Sequence, residues 1–281
     1  WPSEITLKKQ QFKRPLGLRS TNLPAELDAE KNPIDYFVDQ YFQTNKIQPP
    51  QLLSEREFIR RAKLDLLGLL PTPQEVASYR SDNKKNKQAS LIESLLSQDR
   101  NYADHWMSFW NDLLRNDYVG TGYIDGGRKQ ITQWLHQSLL ENKPYDKFVR
   151  ELINPSAKSA GFSKGIKWRG RVNASQIEPL QFSQNISQVF LGINMKCASC
   201  HDSFIDDWKL VDAYGLAAIT AEQPLEIHRC DIPTSQTATS KFVFPELGTI
   251  DHAQPREKRL EQLSQLMTTR ENGRFARTIV N

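Results

Sequence analysis

The sequence predicts a mainly α-helical fold: an irregular multi-helix domain with long loops and one minor extended segment near 225–250. Three observations predict it. Apolar residues recur at helical spacing along most of the chain, Ser, Thr and Asn starts with Gly or Pro stops bracket those stretches, and only "IHRCDIPTSQTATSKFVFPELG" (227 to 248) reads as extended. No run of the 281 residues approaches the roughly eighteen apolar positions of a membrane span.

Taken in order, residues 1–32 carry scattered prolines and charges with little periodicity, as in an extended arm. "NPIDYFVDQYFQ" (32 to 43) sets Ile34, Phe37, Val38, Tyr41 and Phe42 at helical spacing behind an Asn and a first-turn proline. A Ser54-capped helix follows, stopped by Gly68, and Thr72-Pro73 with Glu75 opens the next. "DNKKNKQ" (82 to 88) reads as a solvated loop between helices. Helices are expected at about 87–97 and 99–115, the second with Trp106, Phe109, Trp110, Leu113 and Leu114 on one face.

The stretch 116–130 is glycine-rich and irregular, and helices then begin near Ile131 and Pro144. A second irregular region covers 154–176. Phe182, Ile186, Val189, Phe190 and Ile193 predict a helix of about fourteen residues running directly into Cys197. "DDWKLVDAYGLAAITAE" (206 to 222) reads as helical, and two helices close the chain. The expected organisation is an arm over 1–32, a helical domain over 33–255, and closing helices over 256–281. The last helix stops without a cap and the chain starts at Trp1, so the sequence reads as flanked by a missing leader or upstream region and a further domain.

Thirty-seven basic and thirty-three acidic residues give a net charge of +4 with no basic stripe, which argues against a nucleic-acid partner. Three cysteines exclude a disulfide framework for a chain of this size.

Two of those cysteines stand in "KCASCHD" (196 to 202), and three chemistries compete for it. In C-x-x-C-H, two thiols one helical turn apart can add to the two vinyl groups of a haem, and the adjacent imidazole then reaches the iron. Zinc would need Cys197 and Cys200 to be joined by His228 and Cys230 from "IHRC". A Cys197 to Cys200 disulfide is the third reading, without the βαβ pattern that surrounds redox C-x-x-C sites. The motif reads best as a site for one covalent haem c.

The strings "FIRRAKLDLLGLLPTPQEV" (58 to 76), "ADHWMSFWNDLLRNDY" (103 to 118), "NKPYDKFVREL" (142 to 152), "VFLGINMKCASCHDSF" (189 to 204) and "NGRFARTIVN" (272 to 281) resemble a large secreted planctomycete cytochrome c-like family. Its central domain is of unknown function. The resemblance covers about 33 to 281, and it implies a second uncharacterised domain beginning near "NGRFAR" and often a preceding cytochrome-type domain. Many members carry a second histidine where this chain has Ser203, so no role of that histidine transfers.

On the haem reading, Cys197 and Cys200 carry the thioethers and His201 is the proximal iron ligand. His105, at the edge of an aromatic helix face, is the candidate distal ligand, with an ordinary backbone-bonded histidine as the alternative. Met195 is too close to the tether, and His228, Met107 and Met267 are weaker options. Arg169 and Arg171 are favoured for the propionates over Arg115 and Arg128, because a guanidinium matches a planar carboxylate through paired donors. Asp117, Tyr118, Asp125 and Arg128 could line a substrate pocket, and Asp206 and Asp207 read as a helix N-terminal charge pair. Asn173 and Asn185 match the glycosylation pattern without carrying weight.

The expected function is one-electron transfer in an exported bacterial protein at the periplasm or cell surface, working with a redox partner protein or further cytochrome domain, alone or within a larger assembly. The alternatives are a haem enzyme with an open distal face lined by 116–130, and a haem-stapled or zinc-stapled interaction module.

Overall fold

The computed structural model describes residues 16–18, 21, 23, 32–114, 127–164 and 176–281, with the side chains of 127–130 and 164 left out. Most of the expected arm over 1–32 lies outside these. Among the described residues there are twelve α-helices and one two-stranded sheet, so the mainly α fold with a minor extended segment is what the chain adopts. It divides into two compact units: Arg19–His105, and Trp1–Leu18 with Trp106–Asn281.

In the first unit, local chemistry explains each helix boundary. The Asn32 side chain accepts the Ile34 amide at 2.9 Å to open α1 (Pro33–Thr44), none of whose residues is buried. Helix α2 (Glu55–Leu67) begins on a reciprocal box between Ser54 and Glu57, and α3 (Pro73–Ser81) on the same box between Thr72 and Glu75. Both pack with α4 (Lys87–Leu96) around a small core of Ile59, Leu67, Tyr79 and Leu95, through contacts of α2 with α3 and of α2 with α4.

Two ion pairs tie these helices together. Lys63, 7 % exposed, sends its ammonium to both oxygens of Glu75, at 2.6 and 2.8 Å, and Glu75 also accepts the Thr72 amide at 2.7 Å. One carboxylate therefore caps α3 and neutralises a buried lysine of α2. Lys87 pairs with Glu55 and lies 5.1 Å over the Tyr79 ring, so the last lysine of the expected solvated loop belongs to the fold.

The stop of α2 depends on a glycine for two reasons. Gly68 has φ +67, and a Cβ there would lie 2.4 Å from Nδ1 of His105.

Helix α5 (Asp99–Leu113) straddles the division between the units. Its expected single aromatic face holds for Trp106, Trp110 and Leu113, which are partly buried, but Phe109 is 46 % exposed and meets Trp106 and Trp110 edge-on at 5.3 and 5.7 Å. Phe109 lies at the edge of that face, about 100° around the helix from Trp110, and there it meets solvent.

The second unit continues with α6 (Gly127–Leu140), α7 (Tyr145–Ile153), the short α8 (Gly161–Lys164), α9 (Glu178–Leu191), α10 (Leu210–Ala218), α11 (Arg256–Thr268) and α12 (Gly273–Val280). Helix α8 was not expected; Phe162, 2 % exposed, draws part of the predicted irregular region into the core. Helix α9 is the central one, with ten of its fourteen residues buried, and it packs on α10 and α12 while α7 packs on α11. Glu151 on α7 ties α6 down: it accepts Trp134 Nε1 at 2.8 Å and Lys143 Nζ at 2.7 Å, and Lys143 covers the Trp134 ring. Strands β1 (Glu226–Arg229) and β2 (Ile232–Thr237) form an antiparallel hairpin with an irregularity between Glu226 and His228.

Helix α9 does not run into Cys197. It ends at Leu191 because Gly192 turns left-handed at φ +60, and the Ile193 amide folds back to the Ser187 carbonyl at 2.9 Å. Asn185, in the glycosylation pattern, is 6 % exposed within α9 and closed to modification in the folded chain.

Two measurements check the first unit. Gly68→Ala should lower stability by about 1–3 kcal/mol in a urea titration, because left-handed strain and the His105 clash add. The hydrogen bond from Lys63, then that from the Thr72 amide, hold Glu75 below its usual 4.5. Its contribution is therefore complete at neutral pH and lost on acidification below that value, so Glu75→Gln should destabilise clearly at pH 7 and much less near pH 3.

Candidate functional site

Cys197 to His201 form one tight helical turn of their own. The His201 and Cys200 amides both donate to the Cys197 carbonyl at 3.1 Å, and Ser199 returns to the Met195 carbonyl through its amide at 2.9 Å and its hydroxyl at 2.8 Å. Ala198 and Ser199 have no exposed surface and Met195 is 1 % exposed, so this side of the turn is rooted in the core. Cys197, Cys200 and His201 are half-buried instead. Positions i, i+3 and i+4 share one helical face, which is why the three reactive side chains come to the surface together.

The His201 ring is oriented. Its Nδ1 lies 2.8 Å from the Asp202 carbonyl oxygen, which can only accept, so Nδ1 carries the proton and Nε2 the lone pair. Phe204 packs on the imidazole with ring centroids 4.5 Å apart. Phe204 and Ile205 are 81 % and 74 % exposed, an apolar skin that begins at the His201 ring.

The following loop is built by Asp202, Ser203 and Asp206, the first of which the sequence did not single out. Asp202 Oδ1 accepts the Leu210 amide at 3.0 Å and so holds the start of α10. Ser203, 4 % exposed, accepts the Ile205 and Asp206 amides and donates its own amide to the Trp208 carbonyl at 2.9 Å. It is a turn residue. Asp206 accepts the Trp208 amide at 3.1 Å in the turn before α10, which begins at Leu210, so Asp206 and Asp207 precede the helix expected to start with them.

The hairpin reaches the same place. Cys230, left-handed at φ +54 in the two-residue tip, donates its amide to the Cys200 carbonyl at 2.7 Å. All three cysteines are thiols rather than disulfides. His228 Nδ1 lies 3.1 Å from the Glu226 carbonyl oxygen within β1. Among the described residues no three His, Cys, Asp or Glu side chains are arranged to hold a metal ion.

Of the other expected site residues, Arg169 and Arg171 lie outside the described residues, as do Arg115, Asp117, Tyr118, Asp125 and Asn173, and Arg128 is described only by its backbone, at the start of α6. His105 belongs to the first unit, where its ring abuts Gly68. Met267 is fully buried in the core of the second unit. The structure thus brings together Cys197, Cys200 and His201, and it adds Asp202, Phe204 and Cys230 around them.

One further residue positions this turn from a distance in sequence. Arg274 on α12 donates Nε to the Leu191 carbonyl at 2.7 Å and a terminal nitrogen to the Gly192 carbonyl at 3.3 Å. A guanidinium at a helix C-terminus satisfies open carbonyls and opposes their partial negative charge. Its neighbours act alongside it: the Asn272 side chain accepts the Phe275 amide, Phe275 stacks on Tyr145 at 4.8 Å, and a Cβ on Gly273 would fall 2.5 Å from the Leu16 carbonyl oxygen. The "NGRFAR" string was visible in the sequence, but its target was not.

The family model of PSCyt2, described as a protein of unknown function (DUF1549), matches residues 33–224, a span that includes the whole 197–201 turn. No curated protein and no solved structure matches the chain significantly. With more than half of its length covered, the chain belongs to the PSCyt2 family of proteins of unknown function.

Proposed function

We propose that residues 197–201 attach a single haem c and that the protein transfers single electrons outside the cytoplasm, at the periplasm or cell surface, to a redox partner protein or a further cytochrome domain. The observation that carries this reading is the His201 ring, with Nδ1–H spent on the Asp202 carbonyl and the Nε2 lone pair left for iron, one turn from two thiols on the same face. Metal-ligating imidazoles almost always donate their other nitrogen in this way.

The residues present fit the group. Cys197 and Cys200 would hold it through thioethers and His201 Nε2 would ligate the iron. When bound, haem supplies a one-electron iron couple whose potential follows the axial ligands and burial. The chain's own part is to keep that couple in place. The Asp202 carbonyl fixes the imidazole tautomer, Phe204 restrains the ring plane, and the Met195 and Ser199 anchor keeps the turn from shifting as the charge changes. Phe204 and Ile205 offer apolar surface that would shed water against a macrocycle.

Protein purified from a host that matures c-type cytochromes should gain the mass of one haem, about 616 Da, and show a thioether-type pyridine haemochrome after denaturation. Cys197→Ser with Cys200→Ser should abolish both signatures, and an unmodified wild-type mass from such a host would overturn the assignment. His201→Ala should keep the covalent mass while weakening the axial field, read as a change of spin state in the visible spectrum. A low-spin iron that does not respond to cyanide or carbon monoxide would accord with electron transfer, and a high-spin iron that binds them would replace that reading with a haem enzyme.

A further inference from the structure

A cavity of about 510 Å³ opens in the second unit between the end of α10, the hairpin and the start of α11. Its floor is cationic. Arg259, 7 % exposed, donates Nη1 to the Ala218 carbonyl at 3.0 Å and Nη2 to the Ala221 carbonyl at 2.6 Å, and a weaker bond at 3.4 Å joins Nη1 to Ser240 Oγ. The Nε of Arg259 is shielded from solvent and meets no acceptor. Arg256, half-buried on the same wall, gives Nε to the Thr220 carbonyl at 2.8 Å. His252 Nδ1 accepts the Ser240 amide at 3.1 Å, which puts the ring proton on Nε2.

Two guanidiniums at one helix end exceed what that end can balance. The C-terminus of α10 offers only about half a negative charge, and the carbonyls of Ala218 and of Thr220 and Ala221 in the following turn are already used. Glu222 and Glu257 line the cavity too, but both are exposed, and among the described residues neither arginine pairs with a carboxylate. Glu257 acts on Arg259 only through space, and a nearly buried arginine without a salt-bridge partner is costly unless an anion arrives.

We propose that this cavity binds a small organic oxyanion, its carboxylate or phosphate head taken by Arg256 above the Arg259 floor with His252 Nε2–H as a further donor. Leu225, Ala238 and Pro255 give the body of the ligand an apolar wall. No residue of the cysteine turn lines this cavity.

Calorimetric titration of the full chain with inorganic phosphate and with citrate, each at fixed ionic strength, tests it and separates the two head-group chemistries. Saturable binding of at least one is expected. Arg256→Gln, which keeps a donor for the Thr220 carbonyl but removes the charge, should weaken that binding about tenfold or more with the circular dichroism spectrum unchanged. No saturable heat with either probe overturns the proposal, and so does equal affinity in wild type and a folded Arg256→Gln.

Discussion

The termination of α9 is the constraint on which the second unit depends. A helix with ten of fourteen residues buried needs a defined exit, because its last carbonyls have no partner within the helix. Gly192 turns the chain out of the helix at φ +60, and Arg274 from α12 supplies the donors for the Leu191 and Gly192 carbonyls. Only because the chain leaves α9 at that place do Met195 and Ser199 reach the core and Cys197, Cys200 and His201 the surface.

The other core helix ends by the same device. Arg256 and Arg259 of α11 satisfy the carbonyls of Ala218, Thr220 and Ala221 beyond α10, as Arg274 satisfies those of α9. Both solutions come from the last two helices, which lie beyond the segment that matches the family model. Helices α11 and α12 therefore complete the core built by the matched segment, and α12 also stacks Phe275 on Tyr145 of α7. The two helix ends differ in consequence: one guanidinium at α9 completes the capping, whereas two at α10 leave positive charge over an open cavity.

Around the cysteine turn the fold separates rigidity from reactivity by helical periodicity. Residues 195, 198 and 199 are buried, with 199 bonded to 195, and residues 197, 200 and 201 are turned outward. The hairpin adds a third thiol at its tip, where the Cys230 amide donates to the Cys200 carbonyl. A site of this kind suits a group held covalently at the surface of a stiff support, because little of the support must move when the group's charge changes.

Much of this was legible from local patterns. Ser54, Thr72, Gly68 and the apolar spacing of α2 to α4 are decisions made within four or five residues, where a cap or a left-handed glycine acts on its own turn. The C-x-x-C-H spacing likewise determined by itself that two thiols and an imidazole share one face. The sequence could not reveal that α9 stops short of Cys197, since apolar spacing continues to Ile193 and only the packed glycine ends the helix. Nor could it show that Phe109 faces outward, that Cys230 meets Cys200, that Arg274 caps a helix more than eighty residues earlier, or that Arg256 and Arg259 share a cavity. Those facts join residues distant along the chain, and only the packing of one element on another, which satisfies buried carbonyls with whatever donor comes within reach, decides them.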